Sequence, residues 1–594
     1  MNKRKKIFAS LVFIILLPLV FSPLPAGERE TVILSAVGDE LARSMGQLEI
    51  ENMKKPYYLE YTISDRQVLR IDATFGSLTR SEQVHDRVLF VGLRVGGYDF
   101  DNSAFLNRES LYAFYRGSRN ISLEDDYNAI RHDIWLATDS AYKEALEQLA
   151  AKEAFIKNNI QDEKIPDFSK EKSIQSISPA KTVIIDRAKW EKIVKELSAI
   201  FRLFPAIHDS AVEMRVKMTH KYYVNSEGTR VCQPQPLVTL TAHAVTRTAD
   251  GMQLRHYVPF YAPGTDQLPG EKQLAAGVKK MAAELSALAA APVLEDYIGP
   301  VLFTGQASAE LFKQVLVPQL SGERPPLTEP SLAELAVSSK LVRRMNRRIL
   351  PREISISADP TRAVFGKEAL IGAYEVDDQG VPARPVQLIE SGLLRTLLMS
   401  RRPRKEIVRS NGHARMGGGG KTGVQIGNLF ITAQKGKTYK KLKKNLLQMC
   451  KDQKLPFGLI IATVDDPAIT GAGSSGYYMM RRGQGDRQMT APAVMYRVYA
   501  ADGREELVRG ITISEIDLRS LKDIIAVGKD YYVHHCLLNP GGGLGRFSFA
   551  GSGGGLPVSI TAPSVLIEEI EFKKIEAQRK NPPLLKHPYF PDNR

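Results

Sequence analysis

The sequence has 594 residues, more than one hydrophobic core usually organises, and this length predicts two to four domains. Hydrophobic residues at 43% and charged residues at 25% are typical of a globular protein and exclude a wholly disordered chain. The net charge of +15 is scattered in short clusters such as Arg343-Arg344 and Arg401-Arg402. A solvated basic surface is therefore expected, not the continuous basic face that binds nucleic acid.

The first 26 residues have the organisation of a secretory signal peptide. A basic segment, 3–6, precedes an apolar run, 7–21, and Ala26 offers a small residue for cleavage. An uncleaved membrane anchor is the alternative, but the run is interrupted by Pro18 and is shorter than the roughly 20 residues that a spanning helix needs. We predict an exported, periplasmic chain with no stable membrane span after the signal is cleaved.

Three cysteines, Cys232, Cys450 and Cys536, are too few for a disulfide framework in a protein of this size. One pair could form, and the sequence does not indicate which.

Periodicity predicts two α+β domains in the first half of the chain. Residues 27–157 contain helical patterns at 30–51 and 125–157 around strand candidates at 58–63, 68–73 and 88–95. Residues 158–180 are polar, lack periodicity and are predicted to be a linker. A middle domain, 181–298, has helices at 186–203 and 271–290 around alternating strands at 212–218 and 238–244.

The predicted C-terminal domain, 299–574, is dominated by strands and is followed by a flexible tail, 575–594. Its clearest feature is 374–398, where three apolar runs are separated by the turn formers Asp377-Asp378-Gln379-Gly380 and Ser391-Gly392. This spacing predicts a three-stranded β-meander. The fold class is therefore α+β, with helix and antiparallel-sheet units followed by a β-rich domain.

Two motifs suggest chemistry only at first sight. Gly417–Thr422 resembles a phosphate-binding loop, but the first glycine of that motif is replaced by Arg415, so a surface loop is expected. The Gly-rich runs 540–545 and 551–555 are also predicted to be loops. In a strand, His534 and Cys536 would share a face, but two ligands alone do not make a metal site.

A third segment, 410–415, places Asn411, His413 and Arg415 in a Gly-containing loop that could present a polar cluster to a substrate groove. Asp377 and Asp378 could be paired catalytic carboxylates, although adjacent acids in a turn usually cap the backbone. The chain contains no nucleophile-elbow pattern and no HExxH or HExxxH sequence.

Several collinear segments resemble the TldD/PmbA family. YEVDDQGVPARPVQLIESGLLRTLL at 374–398 is similar to the family's strand–turn–strand–turn–strand segment. The other matching segments are NSEG at 225–228, GPVLFTGQASAELF at 299–312, SNGHAR at 410–415, YAADGREELVRG at 499–510, LKDIIAVG at 521–528 and APSVLIEEIEF at 562–572. Because these motifs keep the family's order and the similarity spans nearly the whole mature chain, the chain is identified as a member and a TldD/PmbA-like fold is expected.

The resemblance implies a zinc site that this sequence does not carry. Zinc metallopeptidases of the family bind the metal through HExxxH on a helix, with a later cysteine from a Gly-rich segment. Here the corresponding positions are Lys313, Gln314 and Pro318, and the Gly-rich segment before 556–558 has no cysteine. No cofactor is therefore expected.

The family also contains a metal-free subunit that pairs with a metal-bearing one around a chamber for unfolded peptide. The resemblance thus implies a metal-free peptidase partner, a homodimer or a heterodimer with a metal-bearing TldD-like paralogue. One alternative is a hydrolase with a divergent centre that uses His413 with Asp377 or Asp378. Zinc is the cofactor expected under this alternative. The other is a non-catalytic envelope binding protein.

Overall fold

The computed structural model describes residues 26–108, 118–159, 164–179, 181, 185–336, 338–417, 420, 422–470, 489–538, 555–575 and 587–590. The predicted signal peptide, except Ala26, and the Gly-rich runs, except Gly555, lie outside the described residues. Within these ranges, no helix has both the length and the apolar character that crossing a membrane requires.

The helices follow the apolar periodicity of the sequence. They are Ala26–Gln47 (α1), Tyr127–Asn158 (α2), Arg187–Ala199 (α3), Glu271–Ala290 (α4), Gly305–Val315 (α5), Tyr439–Asp452 (α6) and Pro467–Thr470 (α7). The side chains of Asp126 and Asp186 accept backbone N–H bonds at the starts of α2 and α3, which satisfies amides that have no partner inside the helix.

The strands form two large sheets and three small ribbons. In the first half of the chain they are Pro56–Thr74 (β1), Ser77–Val95 (β2), Phe105–Leu106 (β3), Ser118–Asn120 (β4), Gln175–Ile177 (β5), Ile207–Asn225 (β6), Arg230–Arg247 (β7) and Gln253–Ala262 (β8). In the second half they are Tyr297–Phe303 (β9), Leu327–Thr328 (β10), Ile354–Ala358 (β11), Val364–Phe365 (β12), Glu368–Ala369 (β13), Val386–Glu390 (β14), Leu393–Leu394 (β15), Ala414–Met416 (β16), Thr422–Val424 (β17), Asn428–Ala433 (β18), Phe457–Val464 (β19), Pro492–Tyr499 (β20), Glu505–Val508 (β21), Ile511–Ile513 (β22), Ile524–Leu538 (β23) and Leu556–Lys574 (β24).

The predicted N-terminal and middle domains share one seven-stranded sheet, in the order β4-β2-β1-β6-β7-β5 with β8 on β7. Odd-numbered residues of β1 from Leu59 to Ile71, except the exposed Gln67, lie buried on one face, because successive side chains alternate across a strand. Helices α1 and α2 cover one end of this face, and α3 and α4 cover the other. The sheet therefore joins both units through the β1–β6 pair.

The prediction of separate strands at 58–63 and 68–73 is wrong, because β1 runs through both without a break. Burial of an unpaired Asp65 carboxylate in this strand would be destabilising. The carboxylate is paired: it accepts a hydrogen bond from Nη2 of Arg87 at 3.0 Å and lies 2.6 Å from Nε2 of His85. The segment predicted as a linker, 158–180, contributes β5 to the sheet and buries Phe168.

The C-terminal unit is the β-rich part of the α+β fold, as predicted. Its main sheet has the order β15-β14-β11-β18-β24-β9-β19-β20-β21, with β22 and β23 also pairing with β24. Strand β23 was anticipated only around His534 and Cys536 and was not predicted at its full length. The meander is shorter than predicted: Val376 forms only an isolated bridge with Pro382, and β14 pairs with a two-residue β15. Helix α5 packs against β19, β23 and β24 beside the principal core.

Arg401 of the C-terminal unit inserts into the N-terminal sheet and is 1% exposed. Its guanidinium donates to the carbonyl oxygen of Ser169 at 2.6 Å and contacts both carboxylate oxygens of Glu227, at 2.8 and 2.7 Å. It also lies over the ring of Phe168, 4.0 Å from the centroid. This one side chain thus connects the sheet, the 164–179 segment and the C-terminal unit.

We predict that Arg401→Met lowers the free energy of unfolding by about 3–5 kcal/mol, because it leaves the largely buried Glu227 carboxylate without its partner. Urea unfolding followed by circular dichroism measures the change. Arg395→Met is the control, since it removes an exposed pair with Glu390 that is worth less than about 1 kcal/mol. Equal effects of the two substitutions would contradict the role assigned to Arg401.

Candidate functional site

Asp377 organises the turn that follows Val376. Its carboxylate accepts the backbone N–H groups of Gln379 and Val381 at 2.9 Å each, and that of Ala414 at 3.0 Å. Burial raises the pKa of Asp377 to about 7, against the opposing effect of these three donors. Gly380 completes the turn at φ +74°, where a Cβ would lie 2.7 Å from the ring of Tyr223.

Asp378 joins the two halves of the molecule. One carboxylate oxygen lies 2.6 Å from Nζ of Lys221 on β6, and the other accepts the backbone N–H of Met416 at 2.6 Å. The two aspartates therefore use their oxygens to fix the turn, β16 and the N-terminal sheet. Their geometry is that of a structural joint.

The three residues predicted for a substrate groove are buried beside this joint: Asn411, His413 and Arg415 are 6%, 0% and 3% exposed. The Asn411 side chain accepts the N–H of Met399 at 2.8 Å and donates to the carbonyl oxygen of Leu397 at 2.9 Å. Arg415 lies over the ring of Tyr374, 4.3 Å from its centroid. The structure therefore closes this region instead of opening it to a groove.

His413 has no acid–base partner in this cluster. Its Nδ1 lies 3.0 Å from the carbonyl oxygen of Asn411, and its Nε2 is buried without a hydrogen bond among the described residues. Burial lowers the pKa of His413 to about 4. In the part of the chain that the structure describes, no hydrogen bond joins His413 to Asp377 or Asp378, so the proposed His–Asp pair is not assembled.

A different cluster lies where α5 meets β23. Glu310, Lys313 and Gln314 project from one side of α5, because residues three and four apart are neighbours on a helix. One oxygen of the Glu310 carboxylate lies 2.5 Å from Nζ of Lys313 and 2.8 Å from Nε2 of His534. The other accepts Nε2 of Gln314 at 2.7 Å. We call Glu310, Lys313, Gln314, His534 and Cys536 the α5 site.

Strand geometry brings His534 and Cys536 to this site together, because residues i and i+2 share a face of β23. Burial alone would lower the pKa of His534, but Cys536 and Glu310 together raise it to about 9. Burial likewise opposes the charge on Lys313, yet Cys536 and Glu310 hold its pKa well above the usual range. Burial opposes ionisation of the Glu310 carboxyl, but Lys313 and His534 keep the pKa of Glu310 well below the usual range. The site holds one buried carboxylate between two cations.

The N-terminal sheet closes one side of the α5 site. Tyr261 of β8 is half-buried and interacts electrostatically with Lys313, Glu310 and Cys536, while burial raises its pKa. Nearby, the Tyr257 hydroxyl donates to the carbonyl oxygen of Val464 at 3.1 Å. Both halves of the molecule therefore contribute side chains around α5.

Sequence reasoning identified only part of this site. It singled out Lys313 and Gln314, and it noted that His534 and Cys536 share a strand face. It missed Glu310, which lies in the 299–312 segment that resembles the family but was given no role, and which is separated from His534 by more than two hundred residues. Pro318, the third predicted position, lies beyond the end of α5 in the 3₁₀ turn Val317–Gln319.

Residues 296–574 match the family model of the PmbA/TldA metallopeptidase C-terminal domain. The chain belongs to the TldD/PmbA family.

Solved structures agree with the family's fold along most of the chain. The chain is similar to a protein from Thermotoga maritima named as a candidate modulator of a DNA gyrase, with 16% identity, TM-score 0.56 and coverage of 91% of this chain and 99% of that one. TldE from Thermococcus kodakarensis has 13% identity, TM-score 0.52 and coverage of 87% and 97%. A candidate modulator of DNA gyrase from Bacteroides thetaiotaomicron has 10% identity, TM-score 0.55 and coverage of 92% and 99%. These identities support a shared fold only. No curated protein matches the chain.

The described residues of this TldD/PmbA member do not fit the zinc ion that the family resemblance implies. Within the described ranges, no group of three or more His, Cys, Asp or Glu side chains could hold a metal ion. At the α5 site the reason is visible: the Lys313 ammonium already contacts Glu310, and His534 uses Nε2 for the same carboxylate. A divalent cation there would face a fixed positive charge.

The buried carboxyl of Asp377 generates a pH prediction. Because its pKa is about 7 in the folded protein and 3.8 in a model peptide, the native state keeps a proton that the unfolded chain loses. The contribution of Asp377 to the free energy of unfolding therefore falls as the pH rises from about 4 to about 7, and is level above that.

Asp377→Asn is expected to remove this part of the pH dependence, because asparagine is neutral throughout. Urea unfolding of both proteins across that pH range measures the difference. Asp502→Asn, in an exposed turn, is the matched control and is expected to leave the profile unchanged. If Asp377→Asn has a profile parallel to that of the parent protein, the assignment is wrong.

Proposed function

We propose that this chain is an exported, metal-free member of the TldD/PmbA family that acts as the peptide-binding partner in a peptidase complex. The observation that carries the proposal is the Lys313 ammonium, held 2.5 Å from the buried carboxylate of Glu310. A catalytic zinc supplies positive charge at an open coordination position. Here a covalently attached cation supplies the charge, and it cannot lower the pKa of a bound water as zinc does.

Export is supported by the basic and apolar segments that precede Ala26. The periplasm is the proposed compartment. The partner role is supported by the family resemblance, which implies dimers that combine metal-bearing and metal-free subunits around a chamber for unfolded peptide. We propose a homodimer or a heterodimer with a metal-bearing TldD-like paralogue, and peptides or unfolded protein as the material bound.

The alternative hydrolase with His413 and Asp377 or Asp378 has less support. These side chains are buried, and each is engaged with backbone groups or Lys221. A general base must reach the substrate proton that it removes, directly or through one water. An envelope binding protein without a catalytic partner is a separate alternative, which co-purification distinguishes.

Protein purified without chelators is expected to contain no stoichiometric zinc by elemental analysis. Addition of zinc is expected to leave its thermal unfolding temperature unchanged, because a ligand that does not bind the native state does not stabilise it. One zinc per chain, lost on His534→Ala but retained in His535→Ala, would overturn the metal-free assignment.

Affinity purification of the exported chain from its native cells is expected to recover a paralogue that contains HExxxH. The two proteins mixed are expected to degrade an unfolded peptide pool, whereas the chain alone binds the peptides. Recovery of cell-wall or membrane material without a paralogue favours the envelope binding protein. Turnover by the chain alone, abolished by His413→Ala, favours the divergent hydrolase.

A further inference from the structure

We propose that the cavity at the C-terminal end of α5 is a binding site for a phosphoryl group. The cavity has a volume of about 240 Å³ and is lined by apolar side chains, Val315 and Leu518, and by charged or polar ones: Gln319, Lys340, Arg344, Asp517 and Arg519. This inference goes beyond the proposed partner role. It depends neither on the metal-free assignment nor on the presence of a partner.

The lining of the cavity carries more positive than negative charge. Three of its described side chains are cations, Lys340, Arg344 and Arg519, and one is an acid, Asp517. The Asp517 carboxylate is already engaged, because its Oδ1 accepts the backbone N–H of Arg519 at 2.7 Å and that of Ser520 at 3.4 Å. It fixes the turn, and the cavity as a whole keeps a net positive charge.

The two guanidinium groups are not paired with carboxylates of the protein. Neither the Arg344 nor the Arg519 side chain forms a hydrogen bond or an ion pair with another described residue. Cations that line one cavity repel each other, and an anion between them reverses the sign of this interaction. Arginine also matches the geometry of phosphate, which it binds through parallel N–H bonds. Two guanidinium groups are therefore available to one oxyanion.

Gln319 adds a neutral donor to the same lining. Its Oε1 accepts the backbone N–H of Lys340 at 2.8 Å, which fixes the orientation of the amide and leaves Nε2 as its donor. The Ser339 hydroxyl holds this turn in place, since it donates to the carbonyl oxygen of Gln319 at 2.5 Å. The side-chain groups that the backbone does not already use are thus mainly donors, and donors recognise an oxyanion.

The size of the cavity favours a small group or one end of a longer molecule. Its volume of about 240 Å³ lies below the roughly 300–1,000 Å³ of most small-molecule pockets. Val315 and Leu518 are half-buried against the principal core and supply an apolar wall for an organic substituent. A phosphate monoester carries about two negative charges near neutral pH, so it complements the lining better than a carboxylate with one.

A structural explanation of the cations is the alternative. The C-terminal end of a helix carries partial negative charge, and nearby Lys or Arg side chains stabilise it. This role does not require that guanidinium groups from two separate segments line one cavity, as those of Arg344 and Arg519 do. It predicts an effect of these residues on stability without binding of an anion, so a binding measurement distinguishes the two explanations.

Isothermal titration calorimetry with inorganic phosphate, in phosphate-free buffer at constant ionic strength, tests the site. One phosphate per chain is expected to bind, and acetate is expected to bind at least about tenfold more weakly. Arg344→Gln and Arg519→Gln are each expected to weaken phosphate binding at least about tenfold, because each removes charge-assisted hydrogen bonds. Arg343→Gln is the matched control with no expected change, since Arg343 is exposed and lies outside the cavity.

Circular dichroism verifies that the variants are folded. Absence of saturable phosphate binding to the folded parent protein would overturn the proposal, as would acetate binding of equal strength or equal weakening by Arg343→Gln. These results do not depend on zinc content or partner recovery, so failure of this proposal is distinguishable from failure of the proposed function.

Two further probes identify the source of the phosphoryl group. Binding to phosphatidylcholine vesicles that contain phosphatidic acid, lost in Arg344→Gln and Arg519→Gln, would support the site and assign it to a lipid headgroup. Binding of glycerol 3-phosphate without binding to these vesicles would support the site and assign it to a free phosphate ester.

Discussion

The buried carboxylate of Glu310 is the constraint on which the α5 site depends. A carboxylate that is 1% exposed is costly to bury unless cations and hydrogen-bond donors surround it. Lys313, Gln314 and His534 meet this requirement with three contacts of 2.5–2.8 Å. The same contacts fix α5 against β23 and place His534 beside Cys536. The burial of Glu310 and the packing of α5 against β23 therefore depend on the same contacts.

A second set of buried charges joins the two halves of the molecule, and it explains why residues 374–415 resemble an active site. The Asp378–Lys221 pair and the Arg401–Glu227 pair both cross from the C-terminal unit to the N-terminal sheet. A sheet face that is partly polar cannot be covered by apolar side chains alone, so paired charges and satisfied backbone groups complete the contact. Aspartate, histidine and arginine are used here for fixing loops, although the same residue types serve catalysis elsewhere.

Local patterns predicted much of the fold. Apolar residues at steps of three and four located Glu271–Ala290 at its observed ends, and alternation located the strands around Met214 and Leu240. The α+β class and the strand-rich C-terminal unit were likewise predictable. The family could be identified because several motifs keep their order along the chain.

The pairing of distant elements was not predictable in this way. No local signal indicates that β1 pairs with β6 across the predicted linker, since a strand edge does not specify its partner by periodicity. Strand β23 contains charged and polar residues that interrupt its alternation, so it was not predicted at its full length. Glu310 was missed for a related reason: a glutamate on an amphipathic helix is ordinarily solvated, and only the tertiary structure places it under His534.

The Lys313 ammonium can replace only one of the two functions that a zinc ion has in a catalytic centre. Zinc both balances nearby negative charge and coordinates a water that it activates as a nucleophile, whereas an ammonium balances charge but coordinates no water. Once the balancing charge belongs to the polypeptide, the nucleophile must come from elsewhere or be absent.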